Sequence, residues 1–496
     1  MYADDFPGVG AFVREASAGA ASLDARVSEW ATLDRPSTHY FAASQSNAVG
    51  SGFTSQSARD QALARDCATA AQRADPSLQP SAYRGVQLQF NFHTGPSWAY
   101  LSPLAIGAPY AGGVRLAVHA DWAATTAGTH THELGHTFGL PHAGVPGDAY
   151  ASRYDVMSRS SPLTDGPTGL AYGTHFNGFH RARLGWTPTT RRIVVGDGQT
   201  LRLVLGRHGT PGGASPDAAP LLLELPNDVS RDRAYYTVEY RRRDGGRFEG
   251  ALPREGIVVH RVAGGASELV DVDGNRDAND DGSVWTPGET FVDAAAGIRV
   301  QVDSVVAGGT PGGGGVPGMA LTVSRNVPLT IVADTLRRLY LGMPAGDTIR
   351  AVGGGGRASV AVERVDGAAP GVTVDAAAGV LRGTTSGAGT LRLALRATGA
   401  DGSTASGAMR LEVVGQPAFR DSLRTLALDE PAADTLVLHA PERDGFPRWR
   451  SFGWTITGLP PGVTVTGRTS SADPALTRVV ALTGRPTREG TTALTI

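Results

Sequence analysis

This sequence predicts a multidomain chain, an α+β domain over residues 1–188 followed by all-β sandwich domains. Three observations predict it. A helix-period segment around Thr131–Ala143 concentrates His and Glu. Past Thr189 the pattern turns to short apolar runs separated by Gly, Asp and Pro, the signature of sandwich strands. After Asn326 the sequence repeats itself with a period of about 90 residues, the size of a small sandwich. A length of 496 residues exceeds what one core organises, and the divisions fall at 1–188, 189–325, 326–414 and 415–496.

In the first domain Leu23–Thr32 and Gly85–His93 read as strands. The second alternates Val86, Leu88, Phe90 and Phe92 against polar neighbours. Between them Ser57–Asp75 reads as a helix, with Leu63, Cys67, Ala70 and Ala74 at helical spacing. Cys67 is the only cysteine, so no intramolecular disulfide forms. Buried packing is its expected role, rather than that of a thiol blocking a metal. Gly113–Ala120 reads as a further strand, with Val114, Leu116 and Val118 on one face.

The next segment carries the chemistry. His132-Glu133-Leu134-Gly135-His136-Thr137-Phe138-Gly139-Leu140-Pro141-His142 fits H-E-x-x-H-x-x-G-x-x-H. From composition such a run arises by chance roughly once in ten thousand chains of this length. His132 and His136 stand at i and i+4, so on a helix both imidazoles leave one face. Glu133 is turned about 100° from His132 and reaches a water on the open side of a metal instead. Gly139 suits the left-handed residue that ends a helix, and Pro141 carries His142 round as third ligand. Three neutral imidazoles and one open position describe a catalytic zinc site rather than a structural one, which takes four ligands and often Cys. The chemistry implied is metal-assisted peptide hydrolysis, with Glu133 as general base.

Met157, fifteen residues past His142, lies in Tyr154-Asp155-Val156-Met157-Ser158, which resembles the Met-turn of the metzincin metallopeptidases. The resemblance places Met157 beneath the zinc-binding imidazoles as an apolar floor. His175-Phe176-Asn177-Gly178-Phe179-His180 through Trp186 resembles the closing helix of gametolysin-type peptidases. Asp5-Phe6-Pro7-Gly8 through Ser17 is similar to the start of the catalytic domain in bacterial immune-inhibitor-A-like peptidases. Ala143 stands where snake-venom-type relatives carry Asp. Immune-inhibitor-A-like enzymes commonly have Asp for the third His, so this chain sits nearer the gametolysin pattern.

The resemblance implies a secreted or cell-surface zinc endopeptidase acting on protein or peptide, cell-wall or matrix protein included. It implies an edge strand before the zinc helix that pairs with extended substrate, and Val114, Leu116 and Val118 mark the expected strand. His119 beside it reads as structural. Tyr154, Tyr172, His175 and His180 lie in the region of an oxyanion stabiliser, but each reads as structural. The specificity wall is expected within Val145–Thr168. Two other readings are a surface adhesin on an inactive metzincin domain, which the presence of Glu133 opposes, and a zinc amidase acting on a non-protein amide.

In 189–325, Arg192–Val195, Leu201–Leu205, Leu221–Leu225, Ala234–Tyr240, Gly256–Val262 and Ile298–Val306 read as strands, and Ala307–Gly318 as a Gly-rich hairpin tip. Arg241-Arg242-Arg243 reads as a solvated face. Asp271, Asp273, Asn275, Asp277, Asn279 and Asp281 concentrate oxygen ligands. Read from Asp277 they half match a calcium loop, but Gly288 stands where a bidentate Glu is wanted and Glu289 follows one residue late. An Asx-rich turn is the alternative, and both stay open.

Farther on, Pro370-Gly371-Val372-Thr373-Val374 recurs as Pro461-Gly462-Val463-Thr464-Val465. Leu381 and Gly383 with Gly389-Thr390 recur as Leu482 and Gly484 with Gly490-Thr491. These resemble tandem Ig-like modules of bacterial surface proteins, the second expected to be incomplete.

A net charge of −2 with no Lys gives no reason to expect nucleic acid or an acidic membrane as partner. No run of about 18 apolar residues occurs, so no membrane span is expected. Residues 1–30 lack a basic start and an apolar stretch. Any signal and propeptide are thus expected to lie outside these residues. A monomer is expected.

Overall fold

Short apolar runs punctuated by turn residues make this chain mostly β-sheet, in several sheets with few helices. The structure is a computed structural model. It describes residues 2, 4–42, 49–50, 53–110, 112–207, 219–230, 232–243, 246–307, 318–333, 335–414, 434–439, 459, 461–470, 477–484 and 487, with backbone alone at 340, 434–439, 465–470 and 477–484. Met1–Pro328 forms one compact unit and Leu329–Ile496 a second. The two segments expected as separate domains on either side of residue 188 therefore share the first unit. Among the described residues no helix is long and apolar enough to cross a membrane.

The first unit begins with helix α1 (Val9–Ala16), which buries Val9, Phe12 and Val13. Helix α2 (Gln56–Ala74) starts at Ser55, whose hydroxyl accepts the Ala58 N–H at 3.2 Å, and it covers one face of a small sheet. In that sheet β1 (Gly85–Gln89) runs parallel to β4 (Gly113–His119), with Val86 opposite Leu116 and Leu88 opposite Val118. On its other side β4 pairs antiparallel with β2 (Trp98–Ala99) and β3 (Leu104–Ala105). Leu63, Leu88, Phe90, Val114, Leu116 and Val118 fill the core between helix and sheet, and half-buried Cys67 packs against it. Helix α3 (Ala127–Thr137) packs on β4 and β2.

Two expectations for this region are corrected. Residues 23–32 form no strand; Val27 is 70% and Trp30 67% exposed. Leu23, Ala25 and Val27 do alternate with polar residues, but the segment pairs with no strand among the described residues and its apolar side chains stay largely outside the core. The strand bearing Val114, Leu116 and Val118 is not an edge. It is paired on both sides, and these three side chains are at most 2% exposed.

Residues 189–325 form the expected sandwich. One sheet holds β5 (Arg192–Val194), β7 (Leu222–Pro226), β8 (Tyr235–Arg241), β9 (Gly256–Ala263) and β10 (Ala266–Leu269). The facing sheet holds β6 (Gln199–Gly206), β11 (Thr290–Asp293), β12 (Ile298–Val306) and β13 (Gly318–Arg325). Leu223, Val238, Ile257 and Val259 from one sheet interdigitate with Ile298, Val300, Leu321 and Val323 from the other. Of the Gly-rich segment, 308–317 lies outside the described residues; β12 and β13 flanking it pair antiparallel. Arg241 departs from expectation. Its side chain is fully buried in an ion pair with Glu249.

In the second unit β14 (Leu336–Tyr340), β20 (Thr404–Val414), β19 (Gly389–Thr398) and β16 (Ser359–Ala368) make one sheet. A smaller one is made by β15 (Asp347–Thr348), β18 (Val380–Gly383) and β17 (Val372–Asp375). Val360, Leu381, Leu393 and Leu395 form part of their common core. The internal repeat is one pairing used twice. Val372 faces Gly383 and Val374 faces Leu381; in the second copy Val463 faces Gly484 and Val465 faces Leu482. Gly371 (φ +82°) and Gly462 (φ +84°) hold the left-handed turn before each strand, which the Pro-Gly pair marks in the sequence. Most of 415–496, including Gly490 and Thr491, lies outside the described residues.

Candidate metal centre

Helix α3 ends as its sequence dictates. Gly139 takes φ +85°, its N–H reaches the His136 carbonyl at 2.8 Å, and the Leu140 N–H reaches the Gly135 carbonyl at 3.1 Å. These two hydrogen bonds reverse the chain and bring His142 back toward the helix. One ligand atom each of His132, His136 and His142 lies within 4.8 Å of the others. Among the described residues this is the one group of three His, Cys, Asp or Glu side chains that converges so.

The backbone fixes which nitrogens face inward. His132 Nδ1 lies 2.7 Å from the Val156 carbonyl and His136 Nδ1 2.8 Å from the Leu140 carbonyl. A carbonyl only accepts, so each Nδ1 carries the proton and each Nε2 presents a lone pair. The Nε2 atoms of His136 and His142 stand 3.0 Å apart. Nitrogens about 2.0 Å from one tetrahedral ion would be about 3.3 Å apart, so the pair fits a shared zinc with a small adjustment.

Electrostatics agree with that donor set. Burial, then neighbouring His136, holds His132 down to about 3 and His142 to about 4. Burial also lowers His136. All three are therefore neutral at physiological pH, the form in which an imidazole can bind a metal. Burial pushes the Glu133 carboxyl up to about 8, and its Oε2 is buried with no hydrogen-bond partner. A buried carboxylate oxygen without a partner is costly unless something the protein binds completes it. Neutral imidazoles, an orphaned carboxylate and no nearby thiol fit zinc held by His132, His136 and His142.

Met157 is fully buried beneath helix α3, and an added Cβ on Gly135 would lie 2.3 Å from its Sδ. Only a residue without a side chain lets helix and methionine approach this closely. Asp155 secures the turn, its Oδ1 accepting the Met157 N–H at 2.7 Å and its Oδ2 the Asn177 N–H at 2.8 Å.

Tyr150 was not singled out by sequence. Its hydroxyl lies 3.0 Å from His142 Nε2 and its ring leans on His142 at 4.6 Å between centroids. Burial, then Glu133, raises its phenol. It falls inside Val145–Thr168, but a tyrosine eight residues past His142 matches no motif spacing. Tyr154, His175 and His180 are fully buried and structural, Tyr154 bonding Ser283 Oγ at 3.0 Å and His180 Nδ1 pairing with Asp155 at 2.8 Å. Half-buried Tyr172 packs on Phe6 and Phe248. His119 stacks on His130 at 3.8 Å and bonds Gln87.

The sheet is bounded on one side by β1 and on the other by β2 and β3. Buried Asp60 pins the aromatics there, its Oδ2 accepting Trp98 Nε1–H at 2.9 Å and the Tyr100 hydroxyl at 2.7 Å. Leu101 is 52% exposed, and its carbonyl oxygen lies 3.6 Å from the Cβ position of Gly139. The edge thus passes the end of helix α3. In the 271–281 loop the bonds are those of successive Asx turns: Asp273 accepts the Asn275 N–H, Asn275 the Asp277 N–H and Asp277 the Asn279 N–H.

No family model matches the chain, and no curated protein does. Solved structures with some likeness include protocadherin gamma B7 cadherin domains 3–6 (13% identity, TM-score 0.13, 33% of this chain and 39% of that one). Domains 1–4 of the same protein give 11% identity and TM-score 0.13 over 59% of this chain and 91% of that one. Immunoglobulin domains 1–5 of Sidekick-1 give 13% and 0.14 over 50% and 64%. At such scores the likeness carries no argument. The chain spans 39% of the first of these and 64% of the last.

Proposed function

We propose that this chain is a zinc-dependent endopeptidase of the metzincin type, acting on extended polypeptide outside the cell. What supports it most is the convergence of His132, His136 and His142 beside the unpartnered carboxylate oxygen of Glu133. When bound, zinc supplies Lewis acidity that polarises a carbonyl and makes water a nucleophile near neutral pH.

The remaining work falls to side chains. Glu133 takes the proton of the attacking water and returns it to the leaving amine. It would do so ionised, since a cation held by His132, His136 and His142 would lower the carboxyl that burial alone raises. Tyr150 keeps its phenol proton at neutral pH and donates a hydrogen bond to the substrate oxygen as negative charge develops there. Met157 and Phe176 close the underside against water. The edge at residues 98–105 offers backbone groups to an extended peptide, a mode that demands little of substrate side chains.

The test is cleavage of denatured casein by the purified chain, with and without a zinc chelator, beside Glu133→Gln. Chelator-sensitive cleavage is expected, reduced at least about 10²-fold by Glu133→Gln with one zinc per chain retained. A chain that takes up no zinc overturns the proposal. Zinc uptake without cleavage of any polypeptide would favour a binding protein on a retired peptidase fold.

A further inference from the structure

Residues 151–158 carry both the Val156 carbonyl that orients His132 and the Met157 floor. Much of what holds this segment comes from the sandwich, far along the chain. Asn279 grips its start at both ends of the amide, Oδ1 accepting the Arg153 N–H at 2.9 Å and Nδ2 donating to the Ala151 carbonyl at 2.6 Å. Arg241, fully buried on β8, donates from Nη1 to the Tyr154 carbonyl at 2.9 Å. Its other nitrogens hold Glu249 as a fork, at 2.7 and 2.6 Å. Beyond the backbone, the Tyr154 hydroxyl meets Ser283 at 3.0 Å, and Asn177, whose N–H binds Asp155, is tied to Ser267 at 2.9 Å.

A bidentate guanidinium buried among carboxylates has one low-energy geometry, and a primary amide clamped at both ends likewise. The carbonyl two residues from Tyr154 is therefore positioned by the sandwich as well as by its own turn. Imidazole orientation follows that carbonyl, because the Nδ1–H bond fixes the ring plane. We propose that residues 189–325 are a working part of the metal centre, with Arg241 and Asn279 as positioning residues that hold the 151–158 segment, and through Val156 hold His132, in metal-binding geometry. This rests on the zinc reading above.

The experiment measures zinc affinity by chelator competition and zinc release rate on the full chain. The variants are Asn279→Ala, Asn279→Asp and Arg241→Lys, with Arg261→Ala as a sandwich-surface control that breaks only an exposed pair with Asp232. The cobalt-loaded form of each gives an absorption spectrum that reports ligand geometry directly. Asn279→Ala and Arg241→Lys are expected to weaken zinc about 10-fold and to alter the cobalt spectrum while the chain stays folded. Asn279→Asp, which keeps the acceptor for Arg153, is expected to recover part of the loss, and Arg261→Ala to match the parent. Affinity and spectrum unchanged in folded Asn279→Ala overturn the inference, and this variant decides alone if Arg241→Lys fails to fold. A parent chain that binds no zinc overturns the zinc reading and this inference with it. Zinc bound normally by the parent and by Asn279→Ala overturns only the inference.

Discussion

The contact between Gly135 and Met157 gives a sharp test of how the floor is built. An ideal Cβ on Gly135 would lie 2.3 Å from Met157 Sδ, 3.1 Å from Phe176 Cε1 and 3.2 Å from Met157 Cε. Carbon and sulfur rest about 3.5–4.0 Å apart, so the sulfur must move about 1 Å or more. Met157 is fully buried in a cluster with Phe12, Leu140 and Phe176, so its sulfur can move only by displacing them. Such overpacking costs about 1–3 kcal/mol, whereas Ala for Gly in a helix returns about 0.5–1 kcal/mol. Gly135→Ala should therefore destabilise the metal-free chain, by up to about 2.5 kcal/mol. Met157→Ala costs about 2–5 kcal/mol by its cavity but removes the obstructing sulfur. In that background only the 3.1 Å approach to Phe176 remains, the ring can give into the space the methionine left, and Gly135→Ala should stabilise by up to about 1 kcal/mol, so its sign reverses. Urea unfolding of the four chains in chelator, followed by tryptophan fluorescence, reads the coupling. Effects equal within about 0.5 kcal/mol in the two backgrounds would refute the packing argument.

Three further outcomes are expected. Burial holds His119, His130, His132, His136, His142 and His260 below their ordinary 6.5. The unfolded chain then binds more protons, so metal-free stability is complete above 6.5 and is lost as pH falls through about 4 for His142 and about 3 for His132. Glu133 opposes this, since its raised carboxyl stabilises the fold below 4.5 and the gain fades toward about 8. Urea midpoints of the Glu133→Gln chain should fall between pH 7 and pH 5, and a flat profile would count against neutral buried imidazoles. Tyr150→Phe should lower kcat about 10²-fold with zinc content unchanged; an unaltered kcat removes Tyr150 from the mechanism. Asp60→Asn keeps one oxygen for Trp98 and Tyr100 but turns an amide NH2 toward the buried Arg59 Nε–H that Asp60 Oδ1 accepts at 2.6 Å, and should cost about 3–5 kcal/mol in urea unfolding while raising KM for peptides. Unchanged stability and KM would show that Asp60 does not brace the edge.

What the sequence by itself determined is what local geometry determines. The i and i+4 histidines, the Gly139 reversal and the return of His142 all lie within eleven residues, so a helix and its cap suffice to assemble them. Sandwich strands were legible because period-2 burial is written along each strand, and the repeat because one hairpin register is used twice. Tertiary structure decided the rest. Val114, Leu116 and Val118 announce a buried face, but alternation says nothing about which strands flank it, so this strand lies inside the sheet with β1 on one side and β2 and β3 on the other. Tyr150 reaches His142 through the path of a loop that no periodicity describes. Arg241 looks like any charged residue until Glu249 and the Tyr154 carbonyl, 87 residues away, surround it. Burial of a charge is a property of its neighbours in space, and a sequence names them only when they are also neighbours along the chain.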